Sequence, residues 1–234
     1  ERARRVHVAA GYSSAKMVVI PNGFDIERFR PDPGARGSVR AELGLAGDAL
    51  LVGLIARDDP QKNHAGFVEA ARLVHGDLPN VHFVMAGTGI DAGNEPLRRA
   101  IERAGLGRVC HLLGRREDVP RLMASLDVVA SPSHSEAFPN VLGEAMACAV
   151  TCVVTDAGDS ADIVGDTGRV VPGADMQALG QELVSVLTLP SAERAKIGMR
   201  ARERVQHRYE IGHVVQQYEN FYRSLMQTEK VCAA

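Results

Sequence analysis

SPSHSEAFPNVLGEAMACAVTCVVTD, residues 131–156, follows directly on the apolar run DVVA at 127–130. That run ends in a polar loop, Pro139 is placed for the first turn of a helix, and CVVTD supplies a second apolar run. The order is therefore strand, loop, helix, strand. Glu136 sits in the loop and Glu144 about one turn into the helix. A helix that starts behind a strand presents unpaired N–H groups and the positive end of its dipole, so the loop formed by Phe138, Pro139, Asn140 and Val141 is a natural place for a phosphate. Carboxylates are poor phosphate ligands. The two acids therefore read as acceptors for hydroxyls, as on a ribose and a sugar, while a solvated loop acid and a helix-surface Glu account for the same two residues equally well.

Outward from this unit, strands and helices alternate. Strands are predicted at 50–56, 81–87 and 109–114 before it and at 169–172 after it, with helices near 63–75, 95–104, 120–125 and 175–187 between and beyond. Asp175 is a plausible N-cap for the last of these. Alternation of about six strands with helices predicts an α/β fold, a doubly wound, Rossmann-like parallel sheet with helices on both faces. In such a sheet the ligand site lies beyond the carboxyl ends of the strands, where Arg57, Gly87, Gly114, Arg115 and Ser131 all fall.

The flanks read differently. Residues 1–12 look helical, MVVI at 17–20 is a short strand, Asn22-Gly23 marks a tight turn, and the Pro- and Gly-rich stretch after Phe29 reads as a linker with one short helix. This places a domain boundary near residue 30. Two helices close the chain, near 192–208 and 212–226. Ile211, Val214, Val215, Tyr218, Phe221, Tyr222 and Leu225 recur on one face of the second, which is expected to pack on this same domain. The chain opens without Met inside an amphipathic segment, which reads as a piece of something longer.

Composition narrows the function classes. An apolar fraction of 45% over 234 residues supports a sizeable core. A net charge of −2 argues against a nucleic-acid partner. No run is long enough to cross a bilayer and no signal segment opens the chain, so a soluble, cytoplasmic protein is the expectation. Cys110, Cys148, Cys152 and Cys232 lack paired metal spacing, and the histidines are scattered, so no metal site is expected. The C-x3-C at Cys148 and Cys152 lies among apolar neighbours and reads as two small core residues.

Several loops carry candidate chemistry. ARDDPQKN at 56–63 puts Arg57 and Lys62 where a bidentate guanidinium and a point charge could neutralise a diphosphate. GTG, residues Gly87, Thr88 and Gly89, permits close backbone approach. PNGFD, R-x4-K-N, GTG, LLG and SEAFPNVLGEAMA, in this order, resemble the retaining glycosyltransferases of family 4, whose fold is GT-B. The specific piece is E-x7-E, Glu136 to Glu144, with FPN between. The match covers about residues 15–190 and corresponds to the family's C-terminal, donor-binding domain.

The resemblance implies roles residue by residue. Arg57 and Lys62 would hold the diphosphate of a nucleotide sugar, with backbone N–H groups near Phe138, Pro139, Asn140 and Val141; Glu144 would accept from the ribose; Glu136 would hold the transferred sugar. Gly87, Thr88, Gly89 and the backbone around Arg115 would flank nucleotide or sugar. No cofactor and no metal is implied. The acceptor, a glycan or a lipid-linked saccharide, would be bound by an N-terminal domain of which only residues 1–30 include a remnant and linker; 31–190 would be the nucleotide-sugar domain and 191–234 the closing helices. Peripheral association with the inner membrane face would fit a lipid-linked acceptor. A GT-B sugar-nucleotide epimerase and a non-catalytic nucleotide-binding or assembly domain share the fold and stay open as alternatives. One departure from the family pattern is Ala149-Val150-Thr151 where Gly-x-Pro is usual, which predicts a changed helix end.

Overall fold

The computed structural model describes residues 2–173 and 175–232, with side chains as far as residue 227. Cys232, named above only for its spacing, lies outside the described side chains. In chain order the helices and strands are α1 (Arg2–Ala9), α2 (Ala35–Glu42), β1 (Leu50–Ile55), α3 (His64–Asp77), β2 (Val81–Ala86), α4 (Glu95–Arg103), β3 (Cys110–Leu112), α5 (Val119–Ser125), β4 (Val128–Ser131), α6 (Asn140–Ala147), β5 (Thr151–Thr155), α7 (Ser160–Val164), β6 (Arg169–Val171), α8 (Met176–Leu187), α9 (Ser191–Arg208) and α10 (Ile211–Cys232).

The six strands form one parallel sheet in the order β3-β2-β1-β4-β5-β6. Parallel strands covered on both faces need apolar side chains on both, which is why β4 and β5 read as continuous apolar runs. Val153 of β5 packs with Phe67 of α3 and Leu183 of α8 in one core, while its neighbours Cys152 and Val154 pack with Leu142 of α6 and Ala201 of α9 in the other. The N-cap predicted at Asp175 forms, and Asn63 caps a second helix start. Asp175 accepts from Ala178 N at 2.8 Å and Asn63 from Gly66 N at 3.0 Å, each cap contributing about 1 kcal/mol.

One buried charge cluster sets the junction of β1 with β4. The Asp127 carboxylate accepts from Arg40 and Arg36, both at 2.7 Å, from Arg194 at 3.4 Å and from the Leu51 amide at 2.9 Å. Arg40, in the stretch that reads as a linker, is 1% exposed, and burial pulls its guanidinium below the usual range against the opposing pull of Asp127.

Several expectations give way. Residues 17–20 are not a strand: no segment among the described residues pairs with them, and Val18 and Val19 stand exposed. Asn22-Gly23 is not a turn but an extended strap, in which Phe24 donates its amide to Tyr209 O and its carbonyl accepts from Ile211 N. Gly23 is needed because a Cβ there would lie 2.8 Å from Ile211 Cα. The apolar face of α10 does not pack on this domain. Val214 is buried, yet Ile211, Val215, Tyr218, Tyr222 and Leu225 are exposed.

The end of α6 is also not altered in the way that loss of glycine predicts. Val150 N donates to Ala145 O and Ala149 N to Met146 O, the bonding pattern that glycine usually serves, and Ala149 takes a φ of 60° to make it. A left-handed alanine costs about 1–2 kcal/mol, of which glycine's extra freedom in the unfolded chain returns about half. Ala149→Gly is therefore expected to stabilise the chain by about 0.5–1 kcal/mol in denaturant unfolding. A loss of stability would mean that the surrounding packing, not the backbone angle, sets the energy there.

Candidate functional site

In the strand order, direction reverses between β1 and β4, and the loops leaving these two strands open a crevice at their carboxyl ends. The loop after β1 carries Arg57 near its start and turns through a 3-10 segment, Pro60–Lys62, capped by Asp59, which accepts from Gln61 N at 2.9 Å. Asn63 then takes φ 54° and caps α3, while its Nδ2 donates to Pro132 O at 3.1 Å. His134 N donates to Gln61 O at 2.8 Å. These two bonds tie the loop after β1 to the loop after β4.

The consequence is an ion pair. Lys62 Nζ lies 2.6 Å from Glu136 Oε1, and the Glu136 side chain is only 8% exposed. Ser133 Oγ donates to the same oxygen at 2.7 Å, and Thr155 Oγ1 donates to Ser133 O at 2.6 Å. A charge-assisted bond of this length is roughly twice as strong as a neutral one. Arg57 turns instead to Asp59, at 2.7 Å, with its own side chain two-thirds exposed. Each predicted phosphate ligand thus already has a carboxylate partner.

Arg57, Lys62, Ser131, Ser133, Glu136, Phe138, Pro139, Asn140 and Val141 line one cavity of about 340 Å³ with the ends of β1 and β4. Pro139 stands just ahead of α6, so the N–H groups of Asn140 and Val141, at the very start of that helix, open beside the cavity, while Leu142 N donates to Pro139 O at 3.1 Å. The strap braces this corner. Asn22 Nδ2 donates to Asn140 Oδ1 at 2.8 Å, and the Phe24 ring stacks on Phe138 at 6.1 Å between centroids.

The other predicted residues lie outside that lining. Glu144 follows Asn140 by four positions and so shares its side of α6. Burial pushes its carboxyl above the usual range, with Arg28 opposing. Gly87, Thr88 and Gly89 press on the neighbouring loop: Asp58 N donates to Thr88 O at 2.8 Å, and a Cβ on Gly87 would meet Ala56 O at 2.0 Å. Arg115 is largely exposed and pairs with Glu117 at 3.1 Å. Sequence reasoning missed Asn22, Asn63, Ser133 and Thr155. The available signal was hydroxyl residues at the ends of two apolar runs, SPS at 131–133 and Thr155. Asp58 and Asp59 diverge, Asp58 accepting from Asn94 at 3.0 Å. Among the described residues no group of three or more His, Cys, Asp or Glu could hold a metal ion.

Comparison with known proteins bears on this crevice. Residues 36–204 match the family model described as glycosyl transferases group 1. D-inositol 3-phosphate glycosyltransferase of Mycobacterium tuberculosis is 31% identical over 211 residues, 87% of this chain and 43% of that protein. EpsF of Bacillus subtilis is 32% identical over 141 residues, 60% of this chain and 36% of that protein. The chain thus spans less than half the length of these curated relatives. Crystal structures of HepE from Anabaena superpose on it, with a TM-score of 0.86 and 27% identity for the complex with UDP, covering 95% of this chain and 61% of that one. A further HepE structure holds UDP-glucose, at a TM-score of 0.85 and 26% identity over the same shares of the two chains.

The Lys62–Glu136 contact generates a double-mutant test. Lys62→Met and Glu136→Gln are each expected to destabilise the chain by about 1–3 kcal/mol, because each leaves a poorly solvated partner unpaired. The double substitution should cost clearly less than the sum in urea unfolding. Strict additivity would show that the pair does not couple in solution.

Proposed function

The chain belongs to the glycosyl transferases group 1 family and has the fold of a GT-B carboxy-terminal domain, and from that premise we propose that it binds the nucleoside-diphosphate sugar donor of a glycosyltransferase. The observation that carries this reading is the crevice between β1 and β4, where Lys62 meets Glu136 beside the start of α6. A diphosphate entering there competes with carboxylates for both cations. It gains Lys62, Arg57 and the first-turn N–H groups of α6 together, and Glu136, released from Lys62, can accept from a hydroxyl of the sugar. Glu144, farther along α6, accepts from the ribose.

In this reading the cations and the helix dipole stabilise the leaving nucleoside diphosphate, so the donor needs no metal. Transfer proceeds with retention, as in family 4, and the acceptor is a saccharide or a lipid-linked saccharide held outside this chain. Because HepE binds UDP and UDP-glucose, UDP is the first ligand to try. Binding at a hundred times its dissociation constant should add about 2.7 kcal/mol of stability.

Titrations test the assignment of roles. Lys62→Ala should weaken UDP by about 1.5–3 kcal/mol while leaving uridine nearly unchanged, the loss of one charge-assisted contact. Glu144→Ala should weaken UDP but not its 2′,3′-dideoxy analogue. Glu136→Ala should spare UDP and weaken UDP-glucose. If each substitution lowers all ligands alike, the acids only support the loop.

Metal dependence is checked separately. Donor affinity is expected to be the same with and without a chelator. Binding that vanishes on chelation and returns with divalent manganese would overturn the metal-free scheme.

A further inference from the structure

At the opposite end of β4 and β5 lies a second cavity of about 340 Å³, lined by Arg36, Asp127, Thr151, Ser191 and Arg194 among others. It opens at the amino ends of the strands. About 13 Å of strand separates it from the donor crevice, given four residues of β4 at 3.3 Å each. Three observations converge on it. The ion pairs of Arg36, Arg40 and Arg194 among the described residues all go to Asp127, so three guanidinium groups share one carboxylate and leave an excess of two positive charges. Thr151 is 2% exposed and its Oγ1 has no hydrogen-bond partner among the described residues, although a buried hydroxyl ordinarily finds one. Ser191 opens the eighteen-residue α9, whose N-cap position is Pro190 and supplies no side-chain cap, so the positive end of that helix also faces this region.

We infer that this cavity binds a small phosphate-type dianion, inorganic phosphate or a compact phosphate monoester, at a site separate from the donor crevice. The charge excess matches a dianion. Arg36 is partly exposed and its Nη2 makes only a 3.4 Å contact with Ala49 O, so its fork can turn to a phosphate oxygen without leaving Asp127 unpaired. Arg194 already lines the cavity from α9 while its Nη1 holds Leu187 O and Leu189 O. The Thr151 hydroxyl supplies a donor close by. A ligand here would join α2, β5 and α9 at the amino ends of the strands, the end of the sheet away from the donor crevice.

The test uses inorganic phosphate and the whole chain, followed by thermal shift and calorimetry against chloride at matched ionic strength. Phosphate should raise the melting temperature at millimolar concentration. Arg36→Gln should weaken its affinity at least tenfold, and Lys62→Ala, at the far crevice, should leave it unchanged. Thr151→Val provides a separable reading: loss of an unpartnered hydroxyl should leave the ligand-free chain as stable or more so, while phosphate affinity falls several-fold. No stabilisation beyond that given by chloride overturns the inference. So does a phosphate effect that Lys62→Ala removes and Arg36→Gln retains, since the anion would then sit in the donor crevice.

Discussion

The junction of β1 with β4 rests on Asp127. Its amide donates to Leu51 O and its carboxylate accepts from Leu51 N, so one residue closes the amino end of the ladder between the two strands with both its backbone and its side chain. Arg40 from α2 and Arg194 from α9 reach the same carboxylate from the helices that flank the sheet. A buried carboxylate without them would be costly, and buried guanidinium groups without it equally so. The cluster therefore fixes how α2 and α9 dock, and through the register of β1 against β4 it fixes which residues face each other at the carboxyl ends. The crevice is built at those ends.

There the same physics works with less burial and more freedom. Lys62 and Glu136 hold each other in place, and Arg57 is held by Asp59, so the charges of the crevice pair off within it. In the proposed reading a ligand carrying its own negative charge takes over both cations, while Glu136 stays tethered by Ser133, whose carbonyl is in turn held by Thr155. Chains of hydrogen bonds of this kind give the second layer that keeps functional side chains near one geometry. The strap of residues 20–24 braces the other side through Asn22 and Phe24, coupling the crevice to the junction of α9 with α10.

The apolar faces show where pattern and packing part. Strands β1, β2, β4 and β5 and helices α3, α6 and α8 bury what their periodicity says they should. The segment at 17–20 and the face of α10 carry the same kind of signal and stand exposed. Hydrophobic periodicity states which side of an element avoids water, not which surface covers it. No helix among the described residues is long and apolar enough to cross a membrane.

The sequence by itself determined the alternation of strands and helices, the capping residue Asp175, and the gathering of Arg57, Lys62, Glu136 and the FPN loop at strand ends. These are local signals, each readable within a window of a few residues. Only the tertiary structure decided that Lys62 would pair with Glu136, 74 positions away, and that Arg40 would be drawn from an apparent linker to Asp127, 87 positions away. It also decided that Gly87 would serve the approach of one loop to another, and that Ala149 would accept a left-handed backbone to close α6. Propensity and period act along the chain, whereas charge pairing and close packing act through space. Partners distant in sequence become visible only when the sheet has brought them together.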